Sequence, residues 1–257
     1  GINDAGAVAG GAFIGSSEKG FIYSGGTYTI INPPGSTGSG LVGINDAGAV
    51  AGSANIGSSI EGFTYSGGTY TIINPPGAFL ITELAGINDA GAVAGYADID
   101  FTFFKSFIYS GGTYTYIVPP GSAGTELNSI NDAGAVAGYA NIGSRTEGFI
   151  YSGGTYTFID PPGSTGSDLI GINDAGAVVG WAFFGLREEG FIYSGGTYTF
   201  INPPESTLTS LTGINDAGVV VGSVFIPEPA TWMMMSVGFL GLGALMRHAR
   251  RQLAIAA

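Results

Sequence analysis

Few side chains in this sequence are suited to catalysis. The one histidine, His248, lies near the C-terminal end, and the chain has no cysteine. Serine–histidine–aspartate catalysis, histidine or thiolate metal sites and disulfides are therefore excluded from the sequence before it. A pair of carboxylates could still hydrolyse glycosides. The glutamates available for that chemistry are Glu61, Glu83, Glu126 and Glu147. They are explained more simply as solvated carboxylates, and we expect no enzymatic activity.

Six aspartates recur at regular intervals, in the positions that repeated cation ligands could occupy. They are Asp4, Asp46, Asp89, Asp132, Asp174 and Asp216. A calcium ion needs several oxygen ligands, whereas each copy offers one Asn and one Asp, and the Gly-Gly-x-Gly-x-Asp calcium pattern is missing. We therefore expect these aspartates to cap turns, and we expect no metal and no cofactor.

The aspartates belong to a module that repeats about every 42 residues. Ile-Asn-Asp-Ala-Gly begins at Ile2, Ile44, Ile87, Ile130, Ile172 and Ile214. The first five copies are each followed by Tyr-Ser-Gly-Gly-Thr-Tyr and then by Pro-Pro. We therefore divide the chain into a repeat domain, residues 1–226, and a C-terminal segment, residues 227–257.

Each period predicts four short antiparallel strands. In the second period the predicted strands are Leu41–Ile44, Ala49–Ile56, Gly62–Ser66 and Thr69–Asn74. Asn-Asp-Ala-Gly and Gly-Gly are hairpin-turn signals, and Pro-Pro ends the last strand. Apolar side chains fall on both faces, so the small sheets must cover one another. The predicted fold class is all-β, a β-propeller-like array of four-stranded antiparallel units, and a β-solenoid is the alternative.

The repeated module resembles the HAF-family extracellular repeat of bacterial proteins. The resemblance covers residues 1–226, although Glu61-Gly62-Phe63 stands where that repeat often has His-Ala-Phe. It implies an exported protein and assigns no catalytic residues.

Charge and composition limit the partners. The formal net charge is −12, which counts against a nucleic-acid partner, and only 10% of residues are charged, which excludes a coiled coil. Hydrophobic residues make up 45% of the chain, too many for a disordered one.

The C-terminal segment has three elements in order. Pro227, Glu228 and Pro229 precede the uncharged stretch 230–246, and Arg247, Arg250 and Arg251 follow it. Seventeen helical residues extend about 25 Å, the short end of what crosses a bilayer. We predict a transmembrane helix at residues 230–246 with its basic flank in the cytoplasm and the repeats outside. A buried helix in a soluble domain is the alternative.

This order of elements is similar to the PEP-CTERM sorting signal of Gram-negative bacteria. The resemblance implies an exported chain held at the inner membrane until an exosortase removes the tail, and then release to the cell surface or extracellular matrix. A signal peptide should accompany such a tail. Gly1 is not Met, so we expect the natural start to precede it.

The connections between strands that vary from copy to copy lie at one end of the predicted units. Two of them, within residues 77–85 and 98–106, carry one-residue insertions and apolar side chains. These side chains are Phe79, Leu80, Ile81, Phe101, Phe103 and Phe104. An exposed apolar cluster usually marks a contact surface, so we predict a partner-binding site here. The alternative is that these loops fold down and bury themselves.

We therefore expect a secreted, non-enzymatic repeat protein with a binding or structural role in biofilm or exopolysaccharide. A carboxylate glycosidase on a propeller and a glycan-binding lectin are the alternatives.

Overall fold

The computed structural model describes residues 1–99 and 103–227, which form twenty-one β-strands in six units. The first unit has three strands: β1 (Val8–Ile14), β2 (Ser17–Ser24) and β3 (Thr27–Ile31). The second has β4 (Ser36–Ile44), β5 (Val50–Ile56), β6 (Ser59–Ser66) and β7 (Thr69–Ile73), and the third has β8 (Ala78–Ile87), β9 (Val93–Ile99), β10 (Phe103–Ser110) and β11 (Thr113–Ile117). The fourth has β12 (Ser122–Ile130), β13 (Val136–Ile142), β14 (Arg145–Ser152) and β15 (Thr155–Phe158). The fifth has β16 (Gly166–Ile172), β17 (Val178–Phe184), β18 (Arg187–Ser194) and β19 (Thr197–Phe200), and the sixth has β20 (Leu208–Ile214) and β21 (Val220–Phe225).

Each four-stranded unit is an antiparallel sheet in which strands pair in sequence order, as β4, β5, β6 and β7 do. Between units the pairing is limited to single parallel contacts, such as Ile60 with Ile81 and Glu188 with Leu208. The two ranges that the structure describes contain no closed sheet. The all-β prediction and its four-stranded antiparallel units are confirmed.

Glycine chemistry sets the hairpins as the sequence predicts. Gly67 and Gly68 have φ angles of +55° and +86°, which glycine adopts without steric cost, and Tyr65 pairs with Tyr70 across them. Gly48, which ends the Asn-Asp-Ala-Gly turn, has a φ of +78°. Its N–H donates to the Asn45 carbonyl at 2.9 Å and closes the turn.

Two strands of the second unit begin earlier than the apolar pattern predicts. In the second unit, β4 begins at Ser36 rather than Leu41, and β6 begins at Ser59 rather than Gly62. Backbone pairing extends through Ser, Thr and Gly residues that lack a hydrophobic signal, with a one-residue bulge between Ser36 and Gly38. Most of the predicted variable connections are therefore strand ends.

The hydrophobic core lies between units. One cluster joins Ala51 and Ile73 of the second unit to Leu84, Val93 and Phe107 of the third. The strand β8 packs against β4, β5 and β6, and β12 packs in the same way against β8, β9 and β10. The largest fully buried side chains include one phenylalanine from each four-stranded unit, namely Phe63, Phe107, Phe149 and Phe191. Each such burial stabilises the fold by about 1.5–3 kcal/mol, so neighbouring units stabilise each other.

The C-terminal prediction falls largely beyond this architecture. Pro227 is the last residue described, and Glu228, Pro229, the predicted span 230–246 and the basic flank lie outside the described residues. Within residues 1–99 and 103–227, no helix could cross a membrane.

Candidate functional site

The two ends of the sheets differ in chemistry. The turn end carries the Asn-Asp-Ala-Gly and Ser-Gly-Gly-Thr turns. The connection end carries the links from second to third strand and from one unit to the next. The turn end repeats the same contacts in every unit, whereas the connection end differs between units.

Asparagines at the turn end link all six units. The Nδ2 group of Asn45 donates to the Asn88 carbonyl at 3.1 Å, and Asn88 Nδ2 donates to the Asn131 carbonyl at 3.1 Å. Asn88 Oδ1 accepts the Ala92 N–H of its own turn at 2.9 Å. The same contacts occur along the whole row, which we call the Asn ladder: Asn3, Asn45, Asn88, Asn131, Asn173 and Asn215.

The repeated aspartates have a different role from the turn cap expected of them. Asp89 Oδ1 accepts the backbone N–H of Asp46, in the preceding unit, at 2.8 Å. Asp132 Oδ1 accepts the Asp89 N–H in the same way. By itself, this hydrogen bond would lower the pKa of the Asp132 carboxyl. Burial and repulsion from Asp174 and Asp89 outweigh the bond, so its pKa is raised. The turn cap is the Asn side chain, and Asp4, Asp46, Asp89, Asp132, Asp174 and Asp216 form a second row between units.

Tyrosines at the turn end pack between units. The rings of Tyr65 and Tyr70 lie 4.7 Å apart across their hairpin. The Tyr70 hydroxyl accepts the Asn32 N–H of the preceding unit at 3.1 Å, and Tyr156 accepts the Val118 N–H at 3.1 Å. These contacts give the tyrosines a structural role, which leaves the connection end as the place for a partner site.

A cavity of about 430 Å³ opens at the connection end, between the third and fourth units. We call it the cleft. Its apolar walls are Phe79 and Leu80 from β8 and Phe103 and Phe104 from β10. Phe79, Leu80 and Phe103 are 52%, 41% and 58% exposed. These side chains therefore lie outside the core, contrary to the alternative in which the insertions bury themselves.

A wide bulge in β8 presents the first wall. Ala78 pairs with Ile99 and Thr82 pairs with Ala97, so residues 79–81 bulge out opposite Asp98 alone. The Asp98 Oδ1 atom accepts N–H groups from Phe79, Leu80 and Ile81 at 2.9–3.1 Å. Burial raises the pKa of Asp98, but these bonds outweigh it and hold the pKa below its ordinary value. The insertion within residues 77–85 therefore forms a strand bulge that hydrogen bonds to Asp98 hold in place.

An aromatic contact positions the second wall. The ring of Phe104 meets Tyr96 edge-on at 5.3 Å. The Tyr96 hydroxyl donates to Glu83 Oε2 at 2.6 Å, which fixes the tyrosine. Burial, and then this bond, raise the pKa of Tyr96 well above its ordinary value, so the phenol keeps its proton. Phe104 is therefore held against a neutral, anchored ring.

Polar groups from the fourth unit line the other side of the cleft. Glu126 and Asn141 contribute a carboxylate and an exposed amide, and Gly124 lies beside them. Glu126 forms a side-chain hydrogen bond with Tyr139. The buried Thr125 accepts the Ser106 N–H and donates to the Ile117 carbonyl, both at 3.1 Å. Thr125 thus fixes this side of the cleft to the third unit.

The predicted partner-binding residues divide into three groups. Phe79, Leu80, Phe103 and Phe104 meet in the cleft. Ile81 instead pairs with Ile60 of the second unit. Phe101 lies outside the described residues. The sequence did not single out Asp98 or Asn141. Only the strand register places Asp98 opposite residues 79–81, and only the packing of the fourth unit beside the third places Asn141 at the cleft.

The predicted glutamates do not converge on one centre. Glu126 lines the cleft, whereas Glu83 lines a second cavity, of about 300 Å³, which also contains Glu18. Glu147 lies 4.0 Å from Arg145. No cluster of three or more metal-ligating side chains occurs in the part of the chain that the structure describes.

A buried aspartate beside Glu126 was missed by the sequence analysis. Asp168 is 7% exposed, and the Asn128 amide donates to its Oδ1 at 2.8 Å. Burial and then repulsion from Glu126 raise the pKa of Asp168 to about 7. The same strand position is Glu83 in the third unit and Glu126 in the fourth, so the repeat could have indicated an acid here, although the second and sixth units have Gly40 and Ser210.

Residues 225–251 match the PEP-CTERM protein-sorting motif. The sorting signal expected from Pro227, Glu228, Pro229 and the basic flank is therefore confirmed. The motif implies an exported chain, a membrane-anchored intermediate in a Gram-negative bacterium and processing by an exosortase. No curated protein matches the chain.

The fold is similar to solved propeller-like structures at low identity. TolB from Acinetobacter baumannii matches with a TM-score of 0.57 and 16% identity, over 76% of this chain and 51% of TolB. A structure from an analysis of two prolyl endopeptidases matches with a TM-score of 0.52 and 14% identity, over 80% of this chain and 34% of that one. The β-propeller domain of the Trilobed protease from Pyrococcus furiosus matches with a TM-score of 0.43 and 12% identity, over 81% of both chains. This chain spans about half the length of TolB, and the likeness shows the fold alone.

Proposed function

We propose that this is a secreted, non-enzymatic repeat protein that binds a component of the cell surface or extracellular matrix through the cleft. The observation that carries the proposal is the exposed aromatic wall at the start of β10, where the other units have no aromatic side chain. Phe103-Phe104 stands where the other four-stranded units have Ser59-Ile60, Arg145-Thr146 and Arg187-Glu188. An exposed apolar surface costs solubility and favours a partner.

The carboxylates of the cleft support binding rather than hydrolysis. A glycosidase needs one carboxyl that keeps its proton near neutral pH, beside one that does not. Asp98 has a lowered pKa and already accepts three N–H groups, so it cannot be the acid. The observation that favours an enzyme is Asp168, but it is buried, bound to Asn128 and set back from the lining of the cleft.

The remaining assignments follow from the repeat and the sorting motif. We assign residues 1–226 to an HAF-like extracellular repeat domain and residues 227–257 to the sorting segment, with residues 230–246 as its transient membrane helix. The mature protein remains at the cell surface or in the matrix, where biofilm or exopolysaccharide supplies the partner.

The test is retention of secreted protein in the matrix of a producing strain. We expect the double variant Phe79→Ser/Phe103→Ser to be released into the medium with its thermal stability unchanged, because both rings are exposed. The matched control is Phe13→Ser, which removes a 77% exposed ring of the first unit and should stay in the matrix. Equal retention of both variants would refute the cleft as the binding site.

A further inference from the structure

The cleft combines aromatic walls with acidic side chains. Among the described residues, those that line it include two carboxylates, Asp98 and Glu126, and no lysine or arginine. The three N–H groups around Asp98 solvate its carboxylate but leave its charge in place. Glu126 hydrogen-bonds a neutral phenol, since the pKa of Tyr139 is raised by burial and by this bond. A positively charged ligand would pair with these carboxylates as it displaced their water, whereas a neutral ligand would only desolvate them.

The aromatic walls of the cleft place a second requirement on the ligand. Phenylalanine rings attract a cation near their faces and also pack against apolar surface. Three rings, Phe79, Phe103 and Phe104, line a cavity of about 430 Å³, which is within the usual range for small-ligand sites. The complementary ligand is therefore an ammonium group on a compact frame with an apolar face.

The polar side of the cleft indicates which kind of molecule carries the ammonium group. Asn141 places an exposed side-chain amide at the cleft, and an amide can donate to one hydroxyl while accepting from another. A sugar ring presents hydroxyls at its edge and C–H groups on its faces, which matches the amide and the rings together. We propose that the cleft binds an amino sugar with a free amine, as a unit of a cationic matrix polysaccharide. This inference rests on the proposed function of the cleft as the matrix-binding site.

The direct test compares two oligosaccharides that differ by one charge on each sugar unit. The purified full chain is titrated calorimetrically with a glucosamine tetrasaccharide and with its N-acetylated counterpart. We expect the glucosamine oligomer to bind at least about tenfold more tightly, because only it provides charge-assisted hydrogen bonds. Its affinity should fall as salt is added and as the pH rises through the pKa of its amine.

Two variants locate the binding in the cleft. Glu126→Gln should weaken the glucosamine oligomer about tenfold or more and leave the acetylated oligomer unchanged. Its control is Glu18→Gln, which removes the charge of a carboxylate that lines the other cavity and has no contact with the walls of the cleft. Gly124→Val should abolish binding of both oligomers, because it fills the cleft. A Cβ atom at residue 124 would lie 3.6 Å from Phe103 Cβ, an ordinary contact that needs no shift of the backbone.

The outcomes separate this inference from the proposed function. Equal binding of both oligomers, lost in Gly124→Val, would keep a sugar site and overturn the amine. Tighter binding of a lysine peptide than of either oligomer would overturn the sugar. Absence of sugar binding would also overturn the inference, while matrix retention that still depended on Phe79 and Phe103 would preserve the proposed function.

Discussion

Removing one member of the Asn ladder should destabilise the whole array, and Asn88→Ala is the sharpest case. Asn88 is 4% exposed and lies near the middle of the row. Its Oδ1 accepts the Ala92 N–H at 2.9 Å within the turn. Its Nδ2 donates to the Asn131 carbonyl of the next unit at 3.1 Å. Alanine removes both bonds, and both are buried.

The magnitude follows from the groups left behind. The Ala92 N–H and the Asn131 carbonyl would each lose a partner in a site with little access to water. Leaving a buried polar group unsatisfied costs about 1–3 kcal/mol, so for two groups we expect a loss of about 2–6 kcal/mol. The matched control is Asn215→Ala at the end of the row, where Asn215 accepts the Val219 N–H in an exposed turn. Water can replace that bond, and the cost should be about 0.5–1.5 kcal/mol.

Urea denaturation followed by far-ultraviolet circular dichroism measures these differences. Asn88→Asp provides an intermediate arm, because it keeps the acceptor for Ala92 but places a carboxylate oxygen against the Asn131 carbonyl. We expect Asn88→Ala to lower the unfolding midpoint clearly more than Asn215→Ala. If the two alanine variants lose the same stability, the Asn ladder does not couple the units and the reasoning is wrong.

Three further predictions concern buried polar groups and the tail. The folded pKa of Asp168 is about 7 and its ordinary value is 3.8, so between these pH values only the folded state holds the proton. Stability should therefore fall as pH rises through this window. Asp168→Asn should recover up to ~4 kcal/mol at pH 8 and little at pH 4 in thermal melts, and a flat difference would contradict this. Within residues 1–99 and 103–227, Ser106 Oγ is the buried side-chain atom with no hydrogen-bond partner. Ser106→Ala should raise the unfolding free energy by about 1 kcal/mol. The same change at Ser167, whose Oγ bonds to Gly148 and Ile159, should lower it. Intact-mass measurement of protein secreted from a host with an exosortase should show a chain that ends near Pro229, and a retained tail would contradict processing.

Local turn chemistry made most of the fold readable from the sequence. Gly67-Gly68 takes the two positive φ angles of a two-residue hairpin without steric cost, and the hairpin fixes the register in which Tyr65 pairs with Tyr70. The repeat then applies that result to every unit. The starts of β4 and β6 could not be predicted in this way, because their first residues are held by backbone pairing and carry no apolar pattern.

Contacts between units could not be predicted from the sequence. The adjacent Asn88 and Asp89 are equally suited to capping a turn, and only the stacking of units decides that Asn caps while Asp bonds to its neighbour. The position of Asp98 is Asn55 and Asn141 in two other units and Phe13, Phe183 and Phe225 in the remaining three, so the repeat assigns it no fixed role. Its role becomes visible only with the three N–H groups of the bulge opposite it.

Some positions are the same in every unit and others vary between units, and this difference explains why we assign the function to the cleft. Positions buried between units, such as Phe63 and its equivalent Phe107, must satisfy the same stacking geometry in every copy, so they cannot vary freely. Positions at the connection end are released from that constraint, and there Phe103 and Phe104 replace polar or smaller residues. Asp98 supports the adjoining bulge, which is wider than the one-residue bulges near the starts of β4 and β12. An array held together by repetition can alter one unit at little cost to the rest, and the third unit is altered where it meets solvent.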